Sequence, residues 1–234
     1  MYPPAIIPLL ESECDLTPDS VIAEPGSGTG LLTELFLKNG NRVFGVEPNA
    51  EMRAAGEREL ADYPKFSSVN ATAEATTLLD QSVDFVVAGQ AFHWFDREKA
   101  RAEFRRILKP AGWAVLIWNG FWIESSPLMA AYQELVLRYG TDYVEVSREL
   151  DHSDLESFFA QRSCQAAHFN FQQIFDYPGL EGRLLSSSFV PEPGHPNYEP
   201  MLHDLRGLFD FHQKDGKVAF EYATEVFYGR LSAG

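Results

Sequence analysis

Residues 21–36, VIAEPGSGTGLLTELF, constrain the fold more than any other stretch of the chain. The apolar run 21–24 reads as a strand ending on an acid, Glu24. Beyond the turn, Leu31 and Leu35, then Leu32 and Phe36, recur four apart, and Gly40 supplies a stop, which predicts a helix over 30–40. Between them Gly26, Gly28 and Gly30 alternate with other residues. Glycine belongs where φ is positive or where a ligand must approach the backbone closely. The helix behind it opens with unpaired N–H groups. A strand–turn–helix junction of this kind suits a nucleotide-like ligand.

The same alternation continues along the chain. Strands are predicted at 42–47, 66–69, 83–89 and 113–119, and helices at 49–63, capped by Asn49, and at 96–110. Continuous apolar strands separated by helices predict an α/β fold with a parallel sheet covered on both faces. Ligands in such sheets sit at the carboxyl ends of the strands, near the topological switch point. Further on, helices are predicted at 126–140, 152–162, 179–189 and 200–216, with strands at 167–175 and 217–231. No repeat and no linker divides the chain, so a single domain is expected over 1–234. Its core is expected at about 1–120 and 165–234, with cap elements at about 121–165 and 176–205.

Charge narrows the partners. The 34 Asp and Glu outnumber the 19 Lys and Arg, for a net charge of −15. Repulsion therefore argues against nucleic acid or an anionic membrane as a partner. Cys14 and Cys164 form no C-x-x-C pair and the six histidines show no ligand spacing, so neither a disulfide framework nor a metal site is expected. The opening MYPPAIIPLL carries no basic region, and prolines interrupt its apolar run. A cytoplasmic protein without a membrane span is expected; the sequence leaves the oligomeric state open.

A dinucleotide fingerprint beginning at Gly26 would require glycine at Leu31. The every-second spacing instead favours a ligand lying over the loop. Glu47, at the end of the second strand, can accept hydrogen bonds from vicinal ribose hydroxyls, which nicotinamide and S-adenosyl ligands share.

The run EPGSGTG, followed by GVEPNAEMR, ATAEATTLLDQSVDFVVAGQAFHWF and EFRRILKPAGW, resembles the class I S-adenosylmethionine-dependent methyltransferases over residues 20–120. Within that class it is most similar to the small-molecule type, methyltransferase type 11, which includes trans-aconitate methyltransferase-like proteins. The resemblance implies a Rossmann-like, doubly wound, seven-stranded and mostly parallel sheet with an antiparallel last strand, helices on both faces and a small cap insertion. It also implies S-adenosyl-L-methionine as cofactor and S-adenosyl-L-homocysteine as product. Glu24 and the turn Gly26, Ser27, Gly28 and Gly30 would hold the methionine end of the cofactor. Glu47 would hold the ribose, with Pro48 and Met52 beside the adenine. Thr72, Ala73 and Glu74 would face the adenine edge, with a hydroxyl at 72 where many relatives carry aspartate. Gly89, Gln90 and Ala91 would line the transferring methyl. Relatives usually carry an Arg-Pro-x-Tyr-Pro segment upstream; this chain begins MYPP, and weaker cofactor binding is expected on that account.

Methyl transfer is an in-line displacement for which the protein supplies position, dryness and, for some acceptors, proton removal. Aromatic residues crowd the ends of the fourth and fifth strands, which makes His93, Trp94, Trp118 and Asn119 the acceptor-side candidates. His93 is also the candidate general base. Arg183 admits two readings, pairing with an acidic substrate or forming a surface salt bridge. Three functions remain in view: a methyltransferase acting on a small molecule, a carboxylate among the candidates; a non-enzymatic or truncated S-adenosyl-binding protein; and a nicotinamide-dependent oxidoreductase.

Overall fold

The computed structural model describes residues 2–141, 155, 158, 159, 164–187 and 189–231. Seven strands form one sheet: β1 (Val21–Pro25), β2 (Arg42–Val46), β3 (Phe66–Val69), β4 (Val83–Gly89), β5 (Leu108–Phe121), β6 (Cys164–Phe175) and β7 (Val218–Gly229). Their order is β3-β2-β1-β4-β5-β7-β6. Strands β1 to β5 pair in parallel, and the last strand, β7, runs antiparallel. The order reverses between β1 and β4, which places the switch point beside the glycine turn.

Each central strand divides its side chains between two cores, as the pleat requires. Ile22, Phe85, Val87, Val115 and Ile117 pack on one face with α1 (Ile6–Cys14) and α2 (Leu31–Lys38), through Ile6, Leu10, Leu32 and Phe36. Ala23, Val86, Ala88, Ala114 and Leu116 face the other way, onto Phe104 and Ile107 of α4 (Arg97–Ile107). Between β2 and β3 runs α3 (Ala50–Glu59), whose N-cap Asn49 accepts from the amides of Glu51 and Met52. These elements belong to a first compact unit of residues 1–119, 150–169 and 224–234.

The second unit comprises residues 120–149 and 170–223. Here α5 (Pro127–Tyr139), α6 (Tyr177–Leu185) and α7 (Tyr198–His212) pack with Phe220 and Tyr222 of β7. Ser126 and Asp176 cap α5 and α6 with side-chain oxygens, each followed by a proline in the first turn.

Among the segments that depart from the sequence reading, two change the architecture around the sheet. The N-terminal run, read as interrupted by prolines, forms α1. Pro8 lies in the first turn, where a missing N–H breaks no helical bond, and Ile6, Leu10 and Cys14 form a buried stripe at i, i+4, i+8. Helix α4 ends at Ile107 rather than 110, because Leu108 already pairs with Val83 to open β5. Most of the predicted helix 152–162 lies outside the described residues.

Candidate functional site

The turn after β1 is built by its glycines and held by one acid. Gly26, Gly28 and Gly30 all take positive φ (71°, 55° and 87°). The amides of Gly26 and Ser27 donate to the carbonyl of Val46 at 2.8 and 3.3 Å, tying the turn to β2. Glu47 then uses both carboxylate oxygens on backbone. Its Oε2 accepts from the Gly28 amide at 2.9 Å and its Oε1 from the Asn49 amide at 2.8 Å. Each oxygen keeps a lone pair, so the carboxylate can still accept from hydroxyls of a ligand.

A cavity of about 470 Å³ opens over this turn, entirely within the first unit. Glu24, Gly26, Ser27 and Gly28 line it from β1 and its turn, and Glu47, Pro48 and Met52 from β2 and α3. Thr72, Ala73 and Glu74 follow β3, and Gly89, Gln90 and Ala91 follow β4. Thirteen of the fourteen candidate cofactor residues are thus brought together. Gly30 is the exception: it caps α2, a Cβ there would meet Leu60, and it lines a separate cavity of about 320 Å³ with Glu34 and Glu59.

Glu24 is the most perturbed carboxyl in the site. It is buried, its Oε2 accepts from the Thr33 hydroxyl at 2.5 Å, and desolvation outweighs that bond to push its pKa up to about 8. Tyr2, absent from the sequence-based candidates, lines the same cavity. Its hydroxyl would lie 2.5 Å from a Cβ on Gly89, so the tip of the phenol sits against the last residue of β4. Burial first, and the charge of Glu24 second, raise the phenol's pKa and keep it neutral. No local pattern in MYPP announces this contact, which is made across more than eighty residues of chain.

Gln90 takes a left-handed φ of 57°, a strained setting for a non-glycine residue. Its Nε2 donates to the carbonyl of Asn119 at 2.6 Å, and the Asn119 Oδ1 accepts from the buried Thr224 hydroxyl at 2.8 Å. These bonds link the end of β4 to β5 and β7. Glu74 is likewise engaged, accepting from the Asp96 amide at 2.9 Å.

Of the acceptor-side candidates, Trp94 lines the cavity and is 76% exposed. His93, Trp118 and Asn119 do not line it. His93 stands with its ring 4.7 Å from Trp94 and 5.6 Å from Trp118, and desolvation lowers its pKa. Among the described residues no His, Cys, Asp or Glu cluster could hold a metal ion, and no helix is long and apolar enough to cross a membrane.

The donors and walls fit an S-adenosyl ligand. A buried carboxyl next to an open glycine turn suits the ammonium of the methionine end. A bracketed carboxylate at the second strand suits a diol, and Pro48, Met52 and Ala73 offer an apolar slot for a flat base. The volume is within the range of small-ligand sites.

Comparisons with known proteins agree with this geometry. Residues 23–116 match the family described as "Methyltransferase domain". An uncharacterized methyltransferase of Schizosaccharomyces pombe is 37% identical over 119 residues, covering 50% of this chain and 46% of its own. The chain spans about half the length of the curated relatives first matched. A solved protein from Anaeromyxobacter dehalogenans, described as a type II methyltransferase, superposes with a TM-score of 0.75 at 22% identity, covering 100% of this chain and 98% of that one. The geranyl diphosphate C-methyltransferase of Streptomyces coelicolor A3(2), solved with Mg2+, geranyl diphosphate and S-adenosyl-L-homocysteine, has a TM-score of 0.53 at 17% identity, covering 97% and 77%. By the methyltransferase domain matched at residues 23–116 and by its strand order, the chain is similar to these methyltransferases in sequence over that stretch and in fold.

Proposed function

We infer that the chain transfers a methyl group from S-adenosyl-L-methionine to a small-molecule acceptor, with a carboxylate among the candidates. The observation that carries the reading is the convergence of the β1 turn, Glu47 and the β4 end on one cavity. When bound, the cofactor supplies an activated methyl on a sulfonium, which needs no protein nucleophile. The residues of this chain bind, orient and exclude water. Glu24, ionised, would hold the ammonium, and Glu47 the ribose diol. Pro48, Met52 and Ala73 would sandwich the base, with Thr72 and Glu74 at its edge. Gly89, Gln90 and Ala91 would lie along the methionine moiety, and the neutral phenol of Tyr2 would close that end.

Trp94, Trp118, His93 and Asn119 form the acceptor side of this reading. His93, its pKa lowered by desolvation, is neutral at physiological pH and able to accept a proton. With an acceptor that must lose a proton, His93→Ala is expected to lower kcat by 10²-fold or more and to leave cofactor affinity unchanged. Full turnover by the variant would remove His93 from the chemistry.

The reading also implies a cytoplasmic enzyme that uses neither nucleic acid nor membrane, as its net charge of −15 favours. Calorimetry tests the cofactor directly. S-adenosyl-L-homocysteine is expected to bind at micromolar concentration, NAD not to bind, and Glu47→Ala to weaken binding at least 10-fold. NAD binding without S-adenosyl-L-homocysteine binding would overturn the reading.

A further inference from the structure

Gln90 stands immediately past β4 with its backbone in the left-handed region. In a non-glycine residue such a setting persists only when the surroundings over-determine it. Here β5 does so twice. The Gln90 amide donates to the Ile117 carbonyl at 3.0 Å, and the Gln90 Nε2 donates to the Asn119 carbonyl at 2.6 Å. The side chain is thus tied to the neighbouring strand although the residue itself is exposed.

A third strand completes the link. Thr224 of β7 is fully buried, and its hydroxyl donates to the Asn119 Oδ1 at 2.8 Å. Inside a protein such a hydroxyl needs a partner, and so does the amide oxygen that it meets. Both oxygens of Asn119 accept within the link, the carbonyl from Gln90 and the side chain from Thr224. All three residues belong to the first unit. Gln90 lines the cavity with its neighbours Gly89 and Ala91, whereas Asn119 and Thr224 do not. Ala91 is buried, and its Cβ lies where a Cβ on Gly26 would have to go. The conformation of Gln90 therefore fixes where Gly89 and Ala91 stand relative to the glycine turn.

We propose that Asn119 and Thr224 are positioning residues for cofactor binding. They latch Gln90 in its left-handed turn, and through it they set the wall formed by Gly89 and Ala91 beside the methionine end. The role in cofactor binding rests on the methyltransferase reading; the latch on the cavity wall does not. Because neither residue lines the cavity, their influence on a ligand passes through Gln90.

Calorimetry with S-adenosyl-L-homocysteine and methyl NMR, both on the full chain, test the latch together. Thr224→Val removes the hydroxyl at nearly constant shape and is expected to weaken binding about 10-fold. Thr224→Ser restores the donor and should bind within about 3-fold of wild type. Gln90→Gly removes the latched side chain yet accepts a positive φ without strain. It should keep the melting temperature of the wild type and still bind about 10-fold more weakly, a split that a role confined to folding would not give. The double variant Gln90→Gly/Thr224→Val should bind no more weakly than Gln90→Gly alone. In the ligand-free protein the Ala91 methyl resonance should move in Thr224→Val and Gln90→Gly and stay in place in Thr224→Ser. Additive losses in the double variant overturn the proposal, as does wild-type affinity in a folded Thr224→Val. Should Thr224→Val not fold, Gln90→Gly carries both measurements, and wild-type affinity or an unmoved resonance refutes the latch. A wild type that fails to bind S-adenosyl-L-homocysteine while the Ala91 resonance responds as expected would refute the methyltransferase reading and leave the latch standing.

Discussion

The wild-type protein is expected to lose stability steadily as pH rises from about 4.5 to 8, and a Glu24→Gln variant is not. Glu24 is buried at the end of β1, and desolvation raises its pKa from 4.5 to about 8. Below 4.5 the carboxyl is protonated in both folded and unfolded chains and contributes nothing to the pH dependence. Above 4.5 the unfolded chain ionises freely while the folded one holds its proton, so folding takes up a proton and weakens at about 1.4 kcal/mol per pH unit. The loss levels off above the folded pKa, at a total on the order of 4–5 kcal/mol. Glutamine keeps an acceptor for the Thr33 hydroxyl and removes the ionisable group.

Other groups act in the opposite sense. Arg106, the largest cause, holds Glu103 low, and Lys99 does so for Asp96, so their stabilisation is lost only as pH falls through the carboxylate range. His93, lowered by desolvation, favours folding as pH rises through its own range. The wild-type curve minus the Glu24→Gln curve isolates the buried acid. Urea unfolding at half-unit intervals from pH 5 to 8 gives that difference, and parallel curves would refute the assignment. The same proton predicts a binding signature. Pairing Glu24 with a cofactor ammonium ionises it, so below pH 8 binding releases up to one proton. Calorimetry in buffers of different ionisation enthalpy reads that proton, and Glu24→Gln is expected to abolish it and to weaken binding at least 10²-fold.

A single methyl at Gly26 is expected to be nearly as damaging. Its φ of 71° lies in the left-handed region, where a Cβ costs roughly 1–2 kcal/mol. That Cβ would also press into the Ala91 Cβ, with Phe95 ring atoms 3.5–3.6 Å away. Alanine has no flexible end to withdraw, so the loops after β1 and β4 must part, at a further ~1–3 kcal/mol. Gly26→Ala is therefore expected to lower stability by about 2–5 kcal/mol and to abolish cofactor binding. A double variant with Ala91→Gly should regain the steric part and not the backbone part, so the two substitutions should couple by at least ~1 kcal/mol. Additive effects would show that the two loops do not press on each other.

What the sequence revealed and what it concealed divide along contact range. The β1 turn, Glu47, Ala73 and Gly89 each sit just past a strand end, and a parallel sheet aligns such ends without further information. That is why thirteen candidates scattered over seventy residues meet in one cavity. Gly30 belongs to the same glycine spacing, but its lack of a side chain serves Leu60 behind the turn, a packing reason the spacing does not encode. Helix α1 stayed hidden because proline in a first turn and proline in an interior look identical without the cap position. Tyr2 meets Gly89 from far away in the chain, so no window of sequence contains that contact.

Both oxygens of Glu47 are already committed to main-chain amides, one in the glycine turn and one at the start of α3. The Cβ of a residue at Gly56 would stand 3.1 Å from the Gly28 carbonyl, so the helix is also seated tightly on the turn. The receptor side of the cavity is thus held together by the chain's own main-chain bonds. An incoming nucleoside need not wait for a loop to order, and little entropy remains to be lost on that side. Analogues differing at the diol should accordingly arrive at similar speeds and separate in how long they stay, their residence times carrying the discrimination.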